Sequence, residues 1–173
     1  GIYVRKAVGV DFYNIRALYN HVNLYTLGNS GSFPTYLKFR DCSFREAVTY
    51  GVHIKRGHGI TFSGCIIESN QYQGMYVEVL DIVSRLQIHD CWIEKNWEST
   101  NWNGYQVIMD GTEAGAKLEY VSVKDNYCWE GNDLSYHFSK VQQIDFSNNQ
   151  VPNVNATILF DVNSFGNVSK QRF

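Results

Sequence analysis

The chain of 173 residues is 44% apolar, 15% aromatic and only 18% charged, against about 25% charged in an average soluble domain, which excludes an intrinsically disordered chain. Its 15 Lys and Arg against 17 Asp and Glu leave a formal charge of -2 with no long basic block, so nucleic acid is not an expected partner. No run of about 18 apolar residues occurs, and the opening GIYVRKAVGV lacks the features of a signal peptide, so neither membrane insertion nor a freshly secreted precursor is expected.

Two kinds of strand phrase alternate along the chain. GIYV opens it at Gly1, and VDFYNIRA follows from Val10 to Ala17. The eight-residue phrase then recurs in clearer form as LKFRDCSF (Leu37 to Phe44), ITFSGCII (Ile60 to Ile67), LQIHDCWI (Leu86 to Ile93), VSVKDNYC (Val121 to Cys128) and IDFSNNQV (Ile144 to Val151). Positions 1, 3 and 8 are apolar in every copy, position 5 is Asp, Gly or Asn, and position 6 is Cys or Asn in the five clear copies. Apolar residues at 1 and 3 predict a short strand, the polar pair breaks it, and position 8 resumes the inward pattern. Between the copies lie further apolar phrases, often led by Gly: YGVHI at Tyr50, GMYVEV at Gly74, GYQVIM at Gly104, LSYHF at Leu134 and TILFDV at Thr157.

The five clear copies start 23, 26, 35 and 23 residues apart. A repeat of that length made only of strands and turns predicts an all-β solenoid whose units share one core. About six coils at ~4.8 Å per stacked strand give a rod of roughly 29 Å. The expected organisation is one domain over 1–173. Because the chain begins inside a strand phrase and stops at VSKQRF without a capping helix, it is expected to be a piece of a longer protein.

The phrase apolar-x-apolar-x-(Asp/Asn)-Asn-x-apolar, followed by a loop, a Gly and another apolar strand, resembles the right-handed parallel β-helix of the pectate lyase superfamily, which includes phage tailspike polysaccharide depolymerases. The resemblance implies three parallel sheets. The Gly-led phrase would supply the first, positions 1 to 3 the second and position 8 the opening of the third, with the turn Asn stacking as a ladder. Cys42, Cys65 and Cys91 occupy position 6 in register with Asn126 and Asn149. They read as buried thiols in ladder positions; a disulfide between adjacent rungs fits the spacing but not easily the torsion. Cys128 falls at inward position 8, and no Cys-x-x-Cys pair or other metal-ligand spacing occurs, so neither a metal nor a cofactor is expected.

Alternation on the Gly-led strands points His53, Lys55, Tyr76, Glu78, Gln106, Ile108, Asp110 and His137 outward. In the resembled enzymes this face is similar to the substrate cleft. The loops before it carry Tyr72, Trp97 and Trp102 among Asn, Gln and Glu, chemistry that suits sugar rings and hydroxyls. Tyr72, Tyr76, Trp97, Trp102, Gln106 and His137 are therefore the expected substrate-binding residues. The rival reading has the rings packing on one another or on a partner subunit. Glycoside hydrolysis needs two carboxylates. Glu78 with Asp110, and Glu68 with Glu94 stacked after position 8, are the candidate pairs.

The expected function is recognition of a bacterial surface polysaccharide, with hydrolysis of it as a further expectation. Two alternatives stand: a non-catalytic trimerising spacer, or a secreted lyase or epimerase of uronic acid polymers. Resemblance to tailspikes implies an extracellular protein of a virion tail or, alternatively, a secreted bacterial one. It also implies a homotrimer, for which Ile66, Trp92 and Tyr127 at position 7 offer a lateral apolar stripe.

Overall fold

A computed structural model describes residues 1–96, 105–111, 113–129, 134–151 and 157–160. Their regular structure is entirely strand, in four parallel sheets that the chain visits in the same order on every coil. The first sheet stacks seven strands in chain order, Ile2–Val4, Leu24–Thr26, Val52–Ile54, Met75–Glu78, Tyr105–Asp110, Leu134–Ser139 and Thr157–Phe160. The second is a narrow sheet of Gly57–His58, Ile82–Ser84 and Lys117–Glu119, extended by single bridges at Val8, Thr35 and Val141. Positions 1 to 4 of the recurring phrase supply strands of the third sheet, such as Gln87–His89. Positions 7 to 9 supply the fourth, such as Trp92–Glu94.

Every inter-strand pairing joins equivalent residues of successive coils, for example Phe39 to Phe62 to Ile88 to Val123 to Phe146. The expected all-β parallel solenoid is what the chain forms, with six turns and the opening strand of a seventh among the described residues. The implied count of three sheets is corrected to four. The second sheet escapes a reading by period because on four coils it is only a two-residue strand, Gly57–His58, or a single bridged residue, Val8, Thr35 or Val141.

The turns follow from backbone chirality. Position 5 is Asn14, Asp41, Gly64, Asp90, Asp125 or Asn148, and each has φ between 53° and 62°. Only Gly visits this left-handed region freely, with Asn and Asp next best. Position 5 therefore rotates the chain from the third sheet to the fourth, and position 6 then turns inward.

Inside the tube, the residues that alternate with the outward set are buried: Val52, Ile54, Met75, Val77, Val107, Met109, Tyr136 and Phe138 are each fully enclosed. Aromatic rings fill the two ends of the described core. Phe12, Phe39 and Phe62 stack face to face at 4.6 and 5.0 Å, with Phe44 edge-on at 5.9 Å from Phe39. Phe146 meets Tyr136 edge-on at 5.0 Å. Each such ring contributes about 1.5–3 kcal/mol by burial.

Two polar ladders line the corners. At position 6, Cys42, Cys65 and Cys91 are free, buried thiols continued by Asn126 and Asn149. Cys91 N donates to Asn126 Oδ1 at 2.9 Å, and Asn126 Nδ2 donates to Asn149 Oδ1 at 2.9 Å. The second ladder lies between the fourth sheet and the first. Asn70 Nδ2 donates to Asn96 Oδ1 at 2.7 Å, and Asn96 Nδ2 to Gln106 Oε1 at 2.8 Å. This ladder explains two leading glycines, because a Cβ on Gly51 would lie 2.5 Å from Asn70 Nδ2 and one on Gly74 2.5 Å from Asn96 Nδ2.

Candidate functional site

Outward residues of the first sheet align into rows. Pairings join Tyr3, Tyr25, His53, Tyr76, Ile108 and His137 into one of them. Its first four members are rings: Tyr3 on Tyr25 at 5.4 Å, Tyr25 on His53 at 5.1 Å and His53 on Tyr76 at 5.1 Å. The corner loops add Tyr50, 4.8 Å from His53 and 5.2 Å from Tyr76, and Tyr72, 5.7 Å from Tyr50. Beside these rings runs an open groove of about 590 Å³ lined by Tyr3, His21, Tyr25, Thr49, Tyr50, His53 and Tyr72 together with Gly1, Ile2 and Val22.

A polar trio underlies the rings. Glu78 Oε2 lies 2.9 Å from His53 Nε2 and 3.0 Å from Lys55 Nζ. His53 is almost enclosed, and burial pushes its imidazole below the ordinary value while the hydrogen bond to Glu78 pulls the other way. Burial and the charge of Glu78 raise the phenols of Tyr50 and Tyr76, so both stay protonated donors at neutral pH.

The expected binding residues divide. Tyr72 lines the groove, and Tyr76 is half-buried against His53. His137 stands farther along the same row, its Nε2 3.0 Å from Ser139 Oγ. Trp97 and Trp102 lie outside the described residues. Gln106 requires correction: it is not outward but fully buried, with Oε1 accepting from Asn96 and Nε2 donating to Asn96 O at 3.1 Å. It occupies the row of Gly51 and Gly74, where the corner ladder claims the side chain before strand alternation begins.

The four candidate carboxylates fall into two separate pairs. Glu78 and Asp110 are partners on adjacent strands of the first sheet. Glu68 and Glu94 are partners on the fourth, where Arg45 forms an ion pair with Glu68. The groove itself is lined by neither pair.

Tyr3, Tyr25, Tyr50 and His21 were not among the expected site residues. A signal existed for Tyr25, since Leu24–Thr26 alternates like the Gly-led strands but lacks the leading Gly. Among the described residues, no three His, Cys, Asp or Glu are grouped to hold a metal ion, and no helix is long and apolar enough to cross a membrane.

Residues 24–173 match the family model described as a right-handed β-helix region. Comparison with curated proteins and with solved structures gave no match.

Proposed function

The chain belongs to the right-handed β-helix family, and from that premise we propose that it binds a polysaccharide along the outer side of its first sheet. A β-helix of this kind is compatible with polysaccharide binding or with a structural role. The observation that carries the binding reading is the groove, whose rings repeat rung by rung through Tyr3, Tyr25 and His53 with Tyr50 and Tyr72 beside them. A chain of sugar rings offers apolar C–H faces and hydroxyls in alternation, and rings edged with phenolic hydroxyls complement both. The proposed ligand is a bacterial surface polysaccharide met outside the cell, by a virion tail protein or a secreted one.

Hydrolysis extends this proposal to Glu78 and Asp110, the carboxylate pair on the groove's own sheet. Glu68 and Glu94, on another sheet, form a second candidate pair. Incubation with capsular and O-antigen polysaccharides, measuring binding by calorimetry and release by reducing ends, tests both parts. Binding weakened at least tenfold by Tyr50→Ala is expected. Release lost in Glu78→Gln or Asp110→Asn would support hydrolysis, and retained binding with no release would leave a lectin.

One observation favours the structural reading instead. Ile66, Trp92 and Tyr127 align on the fourth sheet, with Ile66 and Trp92 exposed and the Trp92 and Tyr127 rings stacked at 4.1 Å. Side-by-side association of three copies through this stripe is the corresponding proposal. A sedimentation profile that is monomeric at micromolar concentration would reject it.

A further inference from the structure

We infer that the groove selects uncharged saccharides, with His53 Nδ1 accepting a hydroxyl hydrogen bond and Glu78 acting as the positioning residue that fixes the imidazole. This inference rests on the saccharide reading of the groove and specifies its ligand class.

The tautomer follows from the contacts. A carboxylate oxygen accepts, so at 2.9 Å from Glu78 Oε2 the proton sits on His53 Nε2. Nδ1 then keeps its lone pair while the ring is neutral, and burial favours the neutral ring. Tyr25, Tyr50 and Tyr76 crowd the imidazole at 5.1, 4.8 and 5.1 Å, which holds it from turning. His53 lines the groove, and its imidazole stands 2.9 Å from the Glu78 carboxylate.

The charge class follows from what surrounds the groove. Its lining residues are four Tyr, two His and a Thr beside Gly1, Ile2 and Val22, and none is Lys or Arg. Lys55 and Arg56, on the same stretch as His53, have partners of their own. Lys55 Nζ sits 3.0 Å from Glu78, and Arg56 donates to Gly28 O at 3.1 Å and faces Asp81 at 3.9 Å. A uronate carboxylate entering here would lose water with no side-chain cation on the lining to pair with. A sugar hydroxyl both donates and accepts, so it fits the phenols and Nδ1 without such a loss.

The test titrates the chain with neutral hexose polysaccharides and with polygalacturonate, at pH 7 and down to pH 4, using wild type and four variants. Neutral polymers should bind at least tenfold tighter than polygalacturonate at pH 7. Their binding should weaken as the pH falls below 6.5 and Nδ1 takes a proton. The groups facing His53 are Glu78, Lys55 and the phenols of Tyr25, Tyr50 and Tyr76. The pH effect should vanish in His53→Gln and persist in His21→Gln, which removes the other imidazole. Glu78→Gln keeps an acceptor for Nε2–H and should hold neutral-polymer binding within about threefold, whereas Glu78→Leu should lose tenfold. Long-range proton–nitrogen NMR should report the Nε2–H tautomer in wild type and its loss in Glu78→Leu. Tighter binding of polygalacturonate, pH-independent binding, or an Nδ1–H tautomer overturns the inference alone. Failure of the folded chain to bind any of these polymers overturns the saccharide reading and the inference together.

Discussion

Two corners of the coil face the same requirement, to turn the chain while satisfying buried backbone groups, and they meet it with different side chains. Between the third and fourth sheets the left-handed residue is Asn, Asp or Gly, and the stack behind it passes from three thiols to two amides. After the fourth sheet the left-handed residues are Tyr19, Glu46, Ser69 and Lys95, none of which favours that conformation, and the stack behind them is amide. The hydrogen bonds account for the contrast. Asn96 donates to Ile67 O at 2.9 Å and Gln106 Oε1 at 2.8 Å while accepting from Asn70 N at 3.2 Å and Asn70 Nδ2 at 2.7 Å. Cys65 Sγ makes long contacts to Phe39 O at 3.4 Å and Ser63 O at 3.6 Å beside its thiol contact with Cys91. A corner held by four amide bonds imposes its backbone on whatever residue precedes it. A corner held by thiols depends on a residue that adopts the turn willingly.

The sharpest way to break the comparison is to remove one rung from each ladder. Asn96→Leu strands several buried backbone and amide groups and should cost about 3 kcal/mol in urea unfolding, against about 1.5 kcal/mol for Cys65→Ala. Equal losses would show that the two ladders are equivalent. Extending the amide run should act in the opposite direction. Cys91→Asn places an amide against Asn126 in the way Asn126 already meets Asn149, and should raise stability by about 1 kcal/mol. Ser69→Gly relieves an unfavourable left-handed residue and should gain about 0.5 kcal/mol in thermal unfolding, whereas Asp125→Gly should gain less.

Within the thiol ladder the shifts oppose one another: burial raises Cys42, and the hydrogen bond between Cys65 and Cys91 raises Cys91 and lowers Cys65. The smallest predicted effect belongs to His53, whose imidazole titrates below its ordinary 6.5 in the fold. The unfolded chain binds that proton first, so stability present above pH 6.5 is lost as the pH falls toward the folded value. Denaturation midpoints at pH 7 and pH 5 should differ less in His53→Gln than in wild type.

The contrast also decides what was legible in the sequence. Position 5 announces itself because Asp, Asn and Gly are the residues a left-handed turn selects, and the phrase around it reveals two sheets and the thiol ladder. The amide corner hides behind Tyr, Glu, Ser and Lys. Its one visible trace is the triplet shared by Glu68, Ser69, Asn70 and Glu94, Lys95, Asn96. Overlooking that ladder is what turned Gln106 outward, since alternation alone treats the residue after a leading position as part of the strand face. At the groove, the row through Tyr76 and Glu78 was readable by period two, and Tyr72 by its place in the preceding loop. Tyr25 and Tyr50 needed the rung pairings, which bring together residues that no local pattern connects.

The rung pairings also govern how the molecule assembles itself. Every strand partner lies one coil away, from 22 residues along the chain (Ile2 to Leu24) to 35 (Gln87 to Ser122). The entropy of closing such a loop grows only as the logarithm of its length, so adding a rung costs nearly the same at any height of the rod. Folding can then start on any adjacent pair of coils and travel in both directions, and a rod of twice as many coils would close no loop longer than this one does.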